Sequence, residues 1–369
     1  MNWVHGKMEG ELLKSRLVFI DTSIYQKGNF QFQGRELEAL SSFLGDDDLT
    51  LFLSTVTIGE IEKHIKAKVR EAISQIQSFQ AKAMILRNVK KYGKSTIFKI
   101  PDLGDIETEL LSSFSDFRHA RNVEIFSIEK ASAEKVFSNY FSGRPPFSVE
   151  KNKEFADAFV LESLLTISSE RMQPIYVVSS DGDMKAFCTE NPSLIHFEDL
   201  GAFLDLASHT IIGAPARVAE ESYRYLKAGL IVQAQEYLEG LEYKVLLDDE
   251  FSVLNSARFQ IKNITAKNEQ VYHVEDGYAG VGVDFEFEVW ATIEVTEPLH
   301  PTLKVVARDP ALVEVVTYLK GYKKVLEMGL GIEFNENDSS DANVDDVDLE
   351  MPGDLILDKP FSSEVIEVH

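Results

Sequence analysis

Short apolar runs alternate with longer segments of helical periodicity through the first two hundred residues of the chain. The runs predict strands at residues 16–20, 49–54, 122–126, 175–179 and 194–197. The segments between them predict helices near residues 35–44, 57–92, 129–141, 152–169 and 183–190. Strands that alternate with helices are typical of a parallel sheet with helices on both faces, and uninterrupted runs such as LVFI fit strands buried on both sides. Residues 1–210 are therefore predicted to form a three-layer α/β domain.

The periodicity changes after a break near residue 210, where Gly213 and Pro215 stand together in IIGAPAR. Residues 216–240 have the pattern of one amphipathic helix. Residues 283–295 then alternate strictly, which predicts a half-buried strand of an antiparallel sheet. Partner strands are expected at residues 252–264, 271–275 and 302–307, and a final helix at 310–327 that begins with Pro310. These elements predict a smaller α+β domain over residues 215–332.

Charge is distributed unevenly along the chain, whose formal net charge is −24. Residues 333–369 contain 12 acids and one base, Lys359, and this composition predicts an acidic, flexible tail. Residues 63–94 have the opposite balance, with nine Lys or Arg and one acid. The net charge therefore does not exclude a nucleic-acid partner, because a ligand meets the local field rather than the average one.

The chain shows no pattern of secretion or membrane insertion. No apolar run approaches the roughly 18 residues that span a bilayer, and the N-terminal residues mix charges without the apolar core of a signal peptide. The single cysteine, Cys188, cannot form a disulfide within the chain. We therefore expect a cytoplasmic protein that does not bind membranes.

Two acidic residues follow the first two predicted strands. Asp21 stands directly after LVFI, where an acid points into the crevice at the carboxyl edge of a parallel sheet, the usual ligand site of open α/β folds. It is equally suited to cap the next helix. Glu60 lies near the start of the long helix after the second strand, and Thr57-x-x-Glu60 also matches a capping box. A structural role and a chemical role stay open for both residues.

Further acids lie in the helix at 152–169 and after the strand that follows it. Asp157 has the apolar context FADAF, and a buried carboxylate needs a partner. Glu154 precedes it by three residues and shares its helix face, or else is a solvated first-turn acid. Asp181 and Asp183 follow the strand IYVVS. They either form a turn and cap the next helix or serve as metal ligands. Carboxylates gathered at one edge repel one another unless a cation neutralises them, and Mg²⁺ or Mn²⁺ suits such oxygen ligands.

The first two acidic segments resemble those of the PIN-domain nucleases. LVFIDTSIY is similar to the first strand of that family, so the resemblance assigns a catalytic and metal-binding role to Asp21 and secondary contacts to Thr22 and Ser23. STVTIGEI is similar to the segment that carries the family's glutamate, which corresponds to Glu60. The similarity spans roughly residues 15–207, which is most of the predicted α/β domain.

The last two acidic segments extend the resemblance. KEFADAFVLESLL is similar to the family's Asp-Ala helix and gives Asp157, with Glu154 as a secondary residue. VVSSDGDM is similar to the strand-end acids and gives Asp181 and Asp183. The helix at 57–92 and the insert before residue 122 are long for a minimal PIN toxin. They look more like those of the larger bacterial PIN-like proteins with an added C-terminal domain.

The resemblance implies a metal-dependent endoribonuclease that hydrolyses phosphodiester bonds with Mg²⁺ or Mn²⁺. Asp21, Asp157 and Asp181 would bind the ions, while Glu60 and Asp183 would complete the ligand shell or orient the attacking water. The biological setting stays open among a toxin of a toxin–antitoxin pair, an anti-phage defence effector and an RNA-processing enzyme. The alternative function is a catalytically inactive PIN-like scaffold that binds RNA or a protein partner.

Two other folds also gather acids at strand ends. A response-regulator receiver needs an acidic pair after its first strand, but Asp21 is followed by Thr22 and Ser23. A haloacid-dehalogenase phosphatase needs Asp-x-Asp at that point, and residue 23 is serine. Both folds are therefore disfavoured.

The basic segment predicts a surface that follows the phosphates of RNA. Its residues are Lys63, Lys66, Arg70, Arg87, Lys90, Lys91 and Lys94. The alternative is an ordinary solvated face of a long helix. Single-stranded DNA is a second candidate substrate, and the domain at 215–332 is a candidate for binding a protein partner or another copy of the chain.

Overall fold

The computed structural model describes residues 12–45, 48–89, 98–99, 102–147, 154–247, 252–298, 313–336, 338–349 and 355–368. The chain forms two compact units, one from Glu9–Ile211 and one that contains Ile212–His369. Each unit has its own sheet and its own hydrophobic core. No helix in the described segments is both long and apolar enough to cross a membrane.

Five parallel strands among the described residues form the sheet of the first unit, which confirms the predicted α/β class. They are β1 (Leu17–Ile20), β2 (Thr50–Ser54), β3 (Val123–Phe126), β4 (Ile175–Val178) and β5 (Leu194–Phe197). Their spatial order is β3-β2-β1-β4-β5, so the chain builds outward from β1 in one direction and then in the other. β1 and β4 are the neighbours at which the direction changes, and open α/β sheets bind ligands at such a switch point.

Helices connect these strands and cover the sheet. Those in the described residues are α1 (Thr22–Lys27), α2 (Arg35–Gly45), α3 (Thr55–Lys82), α4 (Leu103–Arg118), α5 (Ala133–Ser142), α6 (Phe155–Arg171), α7 (Gly182–Glu190) and α8 (Leu200–Ile211). The helix predicted at 57–92 ends earlier, at Lys82, and a 3₁₀ turn at Met84–Asn88 follows it. It ends there because the core ends: its last buried residue is Gln80, and Met84 is already exposed.

The burial of β1, the central strand, explains why all four of its residues are apolar. All four residues of β1 are buried, since helices cover both faces of the sheet. Leu17 and Phe19 pack against α6 and α7, where Leu161 and Phe187 belong to the same core. Full burial of one such side chain stabilises the fold by about 1.5–3 kcal/mol. The same burial on both sides holds the carboxyl end of β1 in a fixed position.

The second unit packs one long helix against an antiparallel sheet. The helix is α9 (Ala214–Glu239), and the described strands are β6 (Tyr243–Val245), β7 (Val253–Glu275), β8 (Tyr278–Pro298), β9 (Val313–Asn335), β10 (Asp338–Leu349), β11 (Leu355–Leu357) and β12 (Ser362–Val368). The main sheet has the order β10-β9-β8-β7, with β12 also paired to β9, while β6 pairs with β11. Asp276 and Gly277 join β7 to β8 with φ angles of 47° and 80°, as a two-residue hairpin turn requires.

The strict alternation at 283–295 is confirmed in β8. Its inward side chains are each 2% exposed or less: Val283, Phe285, Phe287, Val289, Ala291, Ile293 and Val295. They share a core with Leu230, Ala234 and Leu238 of α9. The predicted amphipathic helix and the alternating strand therefore cover each other.

Two predictions for the second unit are wrong. The helix predicted at 310–327 is replaced by strand β9 from Val313 onward, because β8 supplies backbone partners along the whole segment. Residues 333–369 do not form a flexible tail in their described part: β10 pairs with β9, its acids are exposed, and Ala342 and Val344 pack on the core. Residues 302–307, expected as a strand, lie outside the described residues.

Candidate active site

The switch point between β1 and β4 holds the first of the predicted site residues. Ile20 pairs with Val178 in the parallel register, so the next residues, Asp21 and Ser179, are neighbours at the carboxyl edge. The Asp21 amide donates to the carbonyl oxygen of Val178 at 2.9 Å. The Ser179 hydroxyl donates to Oδ2 of Asp21 at 3.0 Å, and both side chains are buried. The register of the sheet therefore fixes the position of the Asp21 carboxylate.

Asp21 also caps α1, so its structural interpretation is correct. Its Oδ2 accepts the backbone amide of Ser23 at 3.0 Å. The bond from Ser179 falls on this same oxygen, and from the described residues no hydrogen bond reaches Oδ1. Capping therefore occupies one carboxylate oxygen and leaves the other for a ligand.

Ser179 links Asp21 to the next acids and was missed in the sequence analysis. Its hydroxyl oxygen accepts the amide of Asp181 at 3.1 Å. Asp181 caps α7 in turn, since its Oδ1 accepts the amide of Asp183 at 2.6 Å. The signal that could have revealed Ser179 is its place directly after β4, because parallel strands on either side of a switch point end side by side.

Glu60 lies in the second turn of α3 and contacts the start of α1. The Thr22 hydroxyl donates to Oε2 of Glu60 at 2.8 Å. The predicted capping box is wrong, because Ser54 caps this helix: its hydroxyl oxygen accepts the Thr57 amide at 2.8 Å. Glu60 therefore has no part in the cap, and Thr22 holds it beside the end of β1.

Asp157, on α6, lies close to Asp21, Glu60 and Glu154, and we call these four residues the acid cluster. Asp157 is half-buried in the first turn of that helix. Burial, and then the charges of Asp21, Glu60 and Glu154, raise its pKa from 3.8 to about 8, and the Glu154 side chain is also hydrogen-bonded to it. Charges perturb a pKa in this way only when they lie close. Carboxylates from β1, α3 and α6 therefore converge, and Asp157 carries a proton at neutral pH.

A family comparison covers this part of the chain. Residues 18–184 match the family model described as PIN domain. The first unit is a PIN domain. The matched segment begins in β1 and ends in α7, so it contains Asp21, Glu60, Asp157, Asp181 and Asp183. No curated protein and no solved structure matches the chain. PIN domains are generally nucleases and typically use divalent metal ions.

The acid cluster of the PIN domain fits a hard divalent cation by its donor chemistry. Its donors are carboxylate oxygens, which Mg²⁺ and Mn²⁺ prefer. The raised pKa of Asp157 indicates negative charges so crowded that one of them is neutralised by a proton, a task that a cation would take over. In the side-chain positions described, no three Asp, Glu, His or Cys side chains are grouped so as to hold an ion. Binding therefore requires side-chain movement within the cluster.

Tyr25 is a further buried neighbour of Asp21 that the sequence analysis missed. It lies four residues later on α1 and packs against Phe32 and Phe117, with ring centroids 6.0 Å away in each case. Burial and then the charge of Asp21 raise the pKa of Tyr25 far above its usual value. The phenol therefore keeps its proton and adds no negative charge to the PIN-domain cluster.

The predicted basic surface of the PIN domain is partly engaged in other contacts. Lys63 is exposed and Lys66 half-exposed on α3. Arg70 is 3.5 Å from a carboxylate of α4, and Arg87 lies 4.6 Å over an aromatic ring. The remaining members lie outside the described residues: Lys90, Lys91 and Lys94. Of the predicted residues that the structure describes, Lys63 and Lys66 therefore make no ion pair or ring contact with other described residues.

Proposed function

We propose that the PIN domain is a Mg²⁺- or Mn²⁺-dependent endoribonuclease. Its proposed ligands are the carboxylates of Asp21, Glu60, Asp157 and Asp181. The observation that carries the proposal is the convergence of carboxylates from three separate segments, in which Asp21 and Glu60, held by Ser179 and Thr22, lie close enough to Asp157 for their charges to raise its pKa. It supports a cation site because a divalent ion stabilises carboxylates that crowd one another in a half-buried crevice. The position beside the topological switch point supports a ligand site as well.

Each residue of the cluster has a task that its contacts suit. Asp21 is held by Ser179 and would hold the ion with its carboxylate. Glu60 is held by Thr22 and orients the attacking water. Asp157 would release its proton to solvent and hold the ion as a carboxylate. When bound, the ion activates a water molecule and offsets the negative charge that builds on the phosphate.

The basic residues of α3 support a nucleic-acid substrate. Lys63 and Lys66 follow Glu60 by three and six residues, which is about 4.5 and 9 Å along the helix axis. A phosphate that flanks the cleaved bond would therefore come within reach of Lys63, which points about 60° around the helix from Glu60, whereas Lys66 points about 120° away. Such contacts position a strand without reading its sequence.

The test is cleavage of labelled RNA and of single-stranded DNA of the same sequence by the purified full chain, with Mn²⁺, Mg²⁺ or EDTA. We expect RNA to be cut with either metal, to stay intact in EDTA, and to stay intact with Asp157→Asn. Glu190→Gln is the control, because it changes an exposed acid at the far end of α7. RNA that stays intact with both metals overturns the proposal and favours an inactive scaffold. Cleavage of DNA alone overturns the RNA assignment.

A further inference from the structure

Strand β7 forms one edge of the main sheet of the second unit. In the described part of the chain its backbone pairs with β8 on one side, and no strand pairs with it on the other. A groove of about 550 Å³ borders this edge, lined by residues 257–262 and by Glu239, Leu241 and Tyr243, from the end of α9 to the start of β6. The amide and carbonyl groups of an accessible edge strand are a template for pairing with another chain.

The later part of this edge is closed to a further strand. The pairing of β7 with β8 shifts register three times within residues 262–273. Asn263 and Asn268 lie at the first two shifts and have φ angles of 55° and 53°. Bulges of this kind twist an edge and keep it from pairing. Lys227 of α9 also covers this part, since its Nζ donates to the carbonyl oxygen of Ala266 at 3.5 Å.

The earlier part of the edge is regular and exposed. Residues 256–262, which we call the open edge, pair with β8 without a register shift, and a shift lies on either side of them. Their side chains alternate between solvent and the core: Ser256, Arg258, Gln260 and Lys262 are exposed, whereas Ala257, Phe259 and Ile261 contact the core. Seven regular residues are enough for an ordinary strand pair.

The open edge is self-complementary about Phe259. Two copies of a strand can pair antiparallel about a two-fold axis, in which case the same surface serves both copies. With Phe259 at the axis all seven residues find a partner, because Phe259 is the midpoint of the open edge. Ala257 then lies opposite Ile261 on the apolar side. On the solvent side, Arg258 lies opposite Gln260, so the cation has an uncharged neighbour.

The adjacent registers are less favourable. Inward and outward side chains cannot exchange faces, so the axis moves along the strand by whole residues. With the axis at Arg258, this residue lies opposite its own copy, and with the axis at Gln260, Arg258 lies opposite Lys262. Like charges directly opposite each other destabilise a sheet. Either move also leaves two residues of each open edge unpaired, so charge and length select the same register.

We propose that the chain forms a homodimer in which the open edges of two copies pair antiparallel about Phe259. The two main sheets then continue into each other across the axis. The ring of Tyr243 lies 5.3 Å from the ring of Phe259 and adds apolar surface beside the axis. The proposal is independent of the nuclease function, because the open edge belongs to the second unit.

The test is sedimentation velocity of the full chain over a wide range of concentration, in which the wild type should form a reversible dimer. Gln260→Arg places like charges opposite each other at two symmetric positions, and we expect it to weaken the dimer roughly 2- to 30-fold. Gln260→Glu places a carboxylate opposite Arg258 and should strengthen the dimer by a similar factor. Thr265→Arg is the control, because it adds the same charge to an exposed residue of β7 beyond the first bulge.

A charge exchange locates the interface. Arg258→Glu combined with Gln260→Arg reverses both charges across the axis and should restore the dimer that Gln260→Arg alone weakens. A chain that stays monomeric at every concentration overturns the proposal and leaves the open edge to an extended segment of another protein. A dimer of equal affinity in both Gln260 variants overturns it as well, since the two copies then meet elsewhere. A loss in Gln260→Arg that the exchange does not restore has the same consequence.

Discussion

Replacing Asp157 by Asn should stabilise the metal-free protein, and increasingly so as the pH rises from about 4 to about 8. Burial, followed by the charges of Asp21, Glu60 and Glu154, raises the pKa of Asp157 from 3.8 to about 8. The folded state therefore binds this proton more tightly than the unfolded state does. The contribution of Asp157 to stability is accordingly greatest below the unfolded pKa, falls as the pH rises through this window and levels off above it.

The size of the effect follows from the shift. One pKa unit corresponds to about 1.4 kcal/mol, so a shift from 3.8 to about 8 corresponds to a little under 6 kcal/mol. We expect Asp157→Asn to recover about half of this, ~3 kcal/mol at pH 8, because Asp157 is only half-buried and solvent screens part of the repulsion. For a domain of this size, that gain raises the unfolding temperature by about 6–12 °C.

The assay is thermal unfolding in EDTA at several values between pH 4.5 and 8, for the wild type, Asp157→Asn and the control Glu190→Gln. The difference between wild type and Asp157→Asn isolates one group, since other titrations cancel. The gap should grow with pH, and Mn²⁺ should narrow it by stabilising the wild type. A gap that stays constant with pH would refute the convergence of carboxylates on Asp157.

Three further predictions concern other parts of the two units. Asp21→Asn should abolish RNA cleavage and leave the unfolding temperature nearly unchanged, because Asn caps a helix as well as Asp does; a marked fall in that temperature would contradict this. Ser179→Ala removes a buried donor to Asp21 and an acceptor for the Asp181 amide, and should cost about 1–3 kcal/mol in denaturant unfolding. Phe285→Ala, in the core under α9, should cost about 3–5 kcal/mol in the same measurement. A cost below about 1 kcal/mol would show that β8 does not pack on this helix as described.

The parallel sheet could be predicted from the sequence because its strands are buried on both sides. LVFI and IYVV are apolar at every position, and all eight side chains are buried in β1 and β4. The chain also shows where such strands end, since Asp21 follows the first apolar run directly and Ser179 and Ser180 follow the second. The strand at 283–295 could be predicted from its alternating pattern for a related reason. One face of β8 packs on a helix, whereas the other face does not.

The rest depends on contacts between distant segments. Residues 313–327 contain β-branched and helix-forming residues together, and it is pairing with β8 that makes them a strand. The acids of β10 suggest a solvated tail, but Ala342 and Val344 between them reach the core only once β9 lies alongside. Ser179 acquires its significance from Asp21 and Asp181, neighbours that the linear sequence does not reveal.

Helix capping and metal binding were alternative interpretations of Asp21, yet the structure makes them compatible. The cap uses Oδ2, which accepts both the Ser23 amide and the Ser179 hydroxyl. These two bonds immobilise the side chain, and an immobilised carboxylate loses less conformational freedom when it binds a ligand through its second oxygen. In the proposed function, the cap at the start of α1 would thus orient the oxygen that binds the ion. Substitution by Asn separates the two roles, because it keeps the cap while it removes the charge.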